Sequence, residues 1–187
     1  MKSKRTRSKS ALLLVDLINT WAMKDGRFLL RNTVIALPRI VALKARAMEA
    51  GLPVIYVNDN FGQWRSDFAA VVRHAMRTSD DAAMIAEQLA PRPDDYFVLK
   101  PRHSGFYETA LELLLEELGI ERLVIAGVAG DQCVLATATD ALLRKFSVHI
   151  PGDVIVCKTA ARTRAIKRHF KEAMDIPVTD SNRLRLR

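Results

Sequence analysis

Short apolar runs alternate with helical segments along this chain, and that alternation limits its possible folds more than any other feature. Runs at 11–15, 53–58, 96–99, 122–126, 147–150 and a short 177–179 have strand length. Segments 33–50, 80–90, 106–118, 132–145 and 159–174 read as helices between them. Gly51 and Gly119 follow the first and third of these, where a glycine commonly closes a helix. Strands separated by crossover helices run parallel, and the helices then cover both faces of the sheet. The expectation is α/β: a three-layer α/β/α sandwich with a six-stranded parallel sheet, forming one domain over 10–187. With 187 residues the chain is long enough for a substantial core. No internal repeat, low-complexity segment or linker interrupts it. The longest unassigned stretch, 58–79, has the length at which a loop becomes a functional suspect.

Three strand ends carry chemistry. The run Ala11 to Val15 ends on Asp16, and Tyr96 to Leu99 ends on Lys100. Leu123 to Ala126 leads through small residues into Gly130-Asp131-Gln132-Cys133. Ligands of open α/β sheets bind beyond the carboxyl ends of the strands. A carboxylate to accept a proton, an ammonium to stabilise anions and a thiol nucleophile would thus converge on one rim. With Asp131 as N-cap, Cys133 takes the second helical position, and Gly130 allows a sharp entry. Unpaired N–H groups and the helix dipole there favour thiolate over thiol, which predicts a lowered pKa near neutrality. Pro101 disfavours helix at Lys100 and suits a strand-end position. The plainer alternatives are a core cysteine, a strand-end carboxylate satisfied by local N–H groups, and a surface salt bridge for the lysine.

Composition narrows the setting. No apolar run approaches membrane-spanning length, so no membrane partner is expected. Two cysteines, Cys133 and Cys157, make no disulfide framework, and Cys157 lies in the apolar run 153–157, which implies core packing. A free thiol fits the reducing cytoplasm. The net charge of +8 raises the question of nucleic acid. Its distribution argues against a specific nucleic-acid partner. Lys2, Lys4, Arg5, Arg7 and Lys9 form a basic N-terminal tail over 1–9 without aromatics, and Arg183, Arg185 and Arg187 lie near the other end. Solvated disorder is the expected state of the N-terminal tail. It does not read as a signal peptide, because only Ala11 to Val15 separate it from Asp16.

Asp16 in LLLVDLINTW, Lys100 in VLKPRHSGFYETAL and Cys133 in GVAGDQCVLATATDA resemble the Asp–Lys–Cys triad of the isochorismatase-like cysteine hydrolases. The resemblance spans roughly residues 10–180 in order and spacing. That family includes nicotinamidases, N-carbamoylsarcosine amidases and ureidoacrylate amidohydrolases. The resemblance implies a Rossmann-like topology and a covalent intermediate on Cys133. Asp16 would take the thiol proton and return it to a leaving amine, or activate water for the second step. Lys100 would pair with Asp16 and hold the thiolate. It also implies a cis peptide at Val128–Ala129 and an oxyanion hole made by the backbone N–H groups of Ala129 and Cys133. Gly130 departs from the threonine often found at that position. A homo-oligomer, dimer or larger, is the family's common assembly.

Nicotinamidases of this family carry a metal on an Asp-x-His pair after the second strand. Here Asp59 matches the aspartate and Phe61 replaces the histidine, and His74, His103, His149 and His169 form no pair at ligand spacing. No metal and no other cofactor is therefore expected. The Asn58–Trp64 segment reads instead as pocket wall. Trp21, Phe61 and Trp64 would enclose a planar or apolar substrate, with Asn58, Gln63 or His103 orienting its polar end. Core packing is the alternative for the aromatics, and a solvated loop position for the histidine. The function implied is a metal-independent hydrolase of a C–N bond in a small amide, carbamoyl or ureido substrate. An isochorismatase-type vinyl-ether hydrolase, or a catalytically silent relative that binds a metabolite, are the other readings.

Overall fold

A computed structural model describes residues 10–64 and 67–186; the basic tail 1–9 lies outside the described residues. Seven parallel strands form the sheet: β1 (Ser10–Val15), β2 (Val54–Asp59), β3 (Tyr96–Lys100), β4 (Arg122–Val128), β5 (Ser147–Pro151), β6 (Ile155–Val156) and β7 (Val178–Thr179). Their order is β3-β2-β1-β4-β5-β7, with β6 set beside the end of β4. β1 lies between two neighbours under helices on both faces, and all six of its residues are buried. This explains its unbroken apolar run.

Alternation along the strands builds two cores. Leu12, Leu14, Val54, Tyr56, Val124 and Ala126 face α1 (Gly26–Glu49), α2 (Phe68–Ala75) and α3 (Asp80–Gln88). Leu13, Val15, Ile55, Val57, Leu123 and Ile125 face α4 (Leu111–Glu117), α5 (Leu135–Leu143) and α6 (Ala160–Glu172). The result is an α/β/α sandwich. From β1 the chain winds outward through β2 and β3. From β4 it winds the other way, so the winding switches between β1 and β4, where such sheets place their ligands.

The six expected strands are present, and the apolar run 153–157 adds β6, with Cys157 buried beside it. The helix expected at 33–50 begins earlier, at Gly26, where no side chain caps it and the usual sequence signal is missing. Asp25 there adopts a left-handed conformation and pairs with Lys158 at 2.8 Å. The stretch 58–79 contains α2, whose N-cap Asp67 accepts the Ala70 N–H at 2.6 Å. α4 is shorter than the expected 106–118, since residues 106–110 form turns. No helix among the described residues is long and apolar enough to cross a membrane.

Candidate active site

Asp16 is the first residue beyond β1. It turns the chain with φ 50°, and its N–H still reaches Val57 O at 3.0 Å. Its carboxylate is thereby aimed along the sheet edge: Oδ1 accepts the Asp59 N–H at 2.7 Å and Oδ2 meets Lys100 Nζ at 2.8 Å. Lys100 ends β3 and is fully buried. Its Nζ also lies 3.4 Å from Asp59 Oδ2, 3.2 Å from Arg102 O and 3.5 Å from Cys133 Sγ. The Asp16 carboxylate is thereby linked through Lys100 to the thiol of Cys133 and acts on it electrostatically. The structure thus brings Asp16, Lys100 and Cys133, from three separate strand ends, into one contact group.

The turn that presents Cys133 is tightly confined. Gly127 adopts φ 136°, and a Cβ there would lie 2.1 Å from Val15 O, so only glycine lets β4 run this close to β1. The Val128–Ala129 peptide is cis. A π-helical turn, Gly130–Val134, then leads directly into α5. This corrects the expected cap. Ala129 flanks the turn, the Asp131 carboxylate pairs instead with Arg162 Nε at 2.7 Å, and Cys133 is the fourth residue of the turn rather than the second. A Cβ on Gly130 would stand 2.9 Å from Cys157 Sγ, so a larger side chain there would press on that sulfur.

Electrostatics correct a second expectation. Burial, reinforced by the charge of Asp16, pushes the Cys133 thiol up to about 12, against the opposing pull of Lys100. Helix start and ammonium do not outweigh desolvation here. Burial also raises Asp16 despite Lys100. Burial alone would lower Lys100, but Asp16, Cys133 and Asp59 together hold its ammonium above the usual lysine range. Cys133 is therefore held as a thiol rather than a thiolate.

The residues expected to line a pocket divide. Phe61 and Trp64 are exposed, at 40% and 75%, and His103 is exposed too. Trp21 and Asn58 are buried in the core beneath the α1 face. Trp21 packs among its side chains, and Asn58 donates from Nδ2 to Ile18 O, tying down the chain after β1. Neither forms an open wall. Sequence reasoning missed two contacts. Asp59 reaches Lys100, and His103 places Nδ1 3.5 Å from Cys133 Sγ. Only the pairing of β2 with β3, which sets Asp59 opposite Lys100, reveals the first. Asp59 also accepts the Phe61 N–H at 2.7 Å. Among the described residues, no group of three or more His, Cys, Asp or Glu side chains is placed to hold a metal ion. A groove of about 560 Å³ between α5 and α6, lined by Asp131, Arg162 and His169 among others, includes none of the three strand-end residues.

A sequence model of the isochorismatase domain matches residues 10–182. The chain belongs to the isochorismatase family. Members of this family are hydrolases, and this chain is an isochorismatase-family hydrolase. It is 41% identical over 150 residues to the isochorismatase family protein YaaI of Bacillus subtilis (strain 168), covering 80% of this chain and 82% of that one. It is 29% identical over 161 residues to the ureidoacrylate amidohydrolase RutB of Stutzerimonas stutzeri (strain A1501), covering 71% of this chain and 64% of RutB. The N-carbamoylsarcosine amidase of Thermoplasma acidophilum shares the hydrolase's fold with a TM-score of 0.70 and 24% identity, covering 94% of this chain and 98% of that one.

Proposed function

We propose that this isochorismatase-family hydrolase cleaves a C–N bond of a small amide, carbamoyl or ureido substrate through a covalent intermediate on Cys133, without a metal. The observation that carries this reading is the bridging position of Lys100 Nζ, 2.8 Å from Asp16 Oδ2 and 3.5 Å from Cys133 Sγ. With Lys100 bridging the two groups, the thiol proton passes to Asp16 within the site. That transfer conserves the net charge of the group, so a thiol pKa of about 12 does not prevent it. Sγ attacks the carbonyl carbon, and the backbone N–H groups of Ala129 and Cys133 receive the oxyanion. Asp16 then returns the proton to the departing nitrogen, and the C–N bond breaks to leave an acyl-enzyme for water to hydrolyse. Lys100 stays protonated throughout and offsets the negative charge as it moves from carboxylate to sulfur to oxygen.

The amidohydrolase activity in the name of the RutB relative supports the substrate class. Phe61 and Trp64, exposed in the segment after β2, would offer apolar surface to such a substrate. Asp59 supports the metal-free reading, since its carboxylate is engaged by Lys100 and by the Phe61 N–H. The test is a screen of small amides, carbamoyl compounds and ureides against the wild type and Cys133→Ala, with mass spectrometry of the trapped adduct. Turnover should vanish in Cys133→Ala and Cys133→Ser while binding persists. Full activity in Cys133→Ala would move the function to vinyl-ether hydrolysis or to another site.

A further inference from the structure

We propose that His103 is the base of the second half-reaction, its Nδ1 taking a proton from the water that hydrolyses the Cys133 acyl-enzyme. This rests on the reading of Cys133 as nucleophile. Lys100 Nζ and His103 Nδ1 each lie 3.5 Å from Cys133 Sγ, and Asp16 joins the group through Lys100 at 2.8 Å. They differ in exposure. Asp16 is 5% exposed and Lys100 fully buried, whereas His103 is open to solvent. Asp16 is further committed, with Oδ1 holding the Asp59 N–H and Oδ2 holding Lys100. It stands well to receive the thiol proton from beneath. Water that replaces a departed amine arrives from the open side, and that side belongs to His103.

The imidazole is held there by the segment that follows β3. The Lys100 ammonium donates to Arg102 O, Ser104 Oγ donates to the Asp140 carboxylate, and the Gly105 N–H donates to Thr137 Oγ1 at 2.9 Å. Gly105 also packs so closely that a Cβ there would lie 2.7 Å from Val57 Cγ1. Both flanks of His103 are thus fastened, one to the catalytic lysine and one to α5. The role requires the Nε2–H tautomer, which leaves Nδ1 as acceptor. In the step, the water oxygen bonds to the acyl carbon while its proton goes to Nδ1. The C–S bond then breaks, and its electron pair returns to Sγ as a thiolate beside Lys100. The imidazolium passes its proton across the existing contact to Sγ, which restores the thiol and the neutral histidine.

The experiment uses p-nitrophenyl acetate, an ester that acylates cysteine and reports acylation by its coloured leaving group. Wild type, His103→Gln and Cys133→Ala are compared by stopped flow and intact-protein mass spectrometry. His103→Gln should keep the nitrophenolate burst at close to the wild-type rate and kcat/KM nearly unchanged. Its kcat should fall about 100-fold or more, the scale of lost general-base catalysis. Acetyl-Cys133 should accumulate in His103→Gln, and hydroxylamine, which attacks thioesters without a base, should discharge it and restore turnover. Cys133→Ala should show no burst. If His103→Gln clears its acetyl group as fast as wild type, or loses burst and turnover in parallel without hydroxylamine rescue, the proposal fails and the nucleophile reading stands. If neither histidine form acquires an adduct on Cys133, both fail together.

Discussion

Cys133 is held as a thiol by its own neighbours, with a pKa pushed up to about 12 by burial and by Asp16. Iodoacetamide should therefore modify Cys133 slowly at pH 7. Its labelling rate should keep climbing well above pH 9, where an ordinary cysteine levels off; peptide mass spectrometry across pH would measure this. A rapid neutral-pH reaction that is flat above pH 9 would contradict the picture. The same shift has a thermodynamic sign. The folded state holds a proton that the unfolded chain releases near pH 9, so nothing is lost below that point. Stability falls as pH rises from about 9 toward 12, and Cys157, raised to about 11 chiefly by burial, adds in the same direction. Urea midpoints should drop between about pH 9 and pH 11, and less steeply in a Cys157→Ala variant. From the sequence, Asp16, Lys100 and Cys133 could be placed at strand ends. The direction of the thiol shift could not, because it depends on how deeply the thiol is buried and on a carboxylate 117 residues away in sequence, between Asp16 and Cys133.

The turn between β4 and α5 shows how one element constrains another. Gly130 rests on Cys157, so a threonine there would push its Cβ into the sulfur at 2.9 Å. Gly130→Thr should destabilise the protein by about 1–3 kcal/mol, the usual cost of overpacking. Cys157→Ala should recover most of that in a double-mutant cycle on urea unfolding. Additive losses would show that the two residues do not meet. Elements of this kind were readable unevenly. Period and glycine stops placed the ends of α1 and α4, closed by Gly51 and Gly119 at φ 74° and 66°. The start of α1 was hidden because Asp25 offers no capping hydrogen bond. α2 was hidden because it is short and its cap, Asp67, lies inside a long irregular stretch. The π-turn was hidden because Asp131 reads as a cap but is drawn off by Arg162.

At the scale of the whole molecule, the sandwich follows from the order of runs and helices alone, since apolar strands of this length can be buried on both faces only under two helical layers. What the order could not supply was which strand ends adjoin. β1 pairs with β4 across more than a hundred residues, Ser10 opposite Arg122 and Val15 opposite Gly127, and only this pairing brings Asp16 to Cys133. That pairing also has a consequence in time. Helices and the β1–β2 pair can form early from nearby sequence, whereas β1–β4 requires closure of a long loop, the slow kind of contact. During renaturation from urea, enzymatic activity should return later than far-ultraviolet ellipticity. A collapsed chain with most of its helix and no β1–β4 pairing would be silent, so the catalyst itself serves as the clock for the last long-range closure.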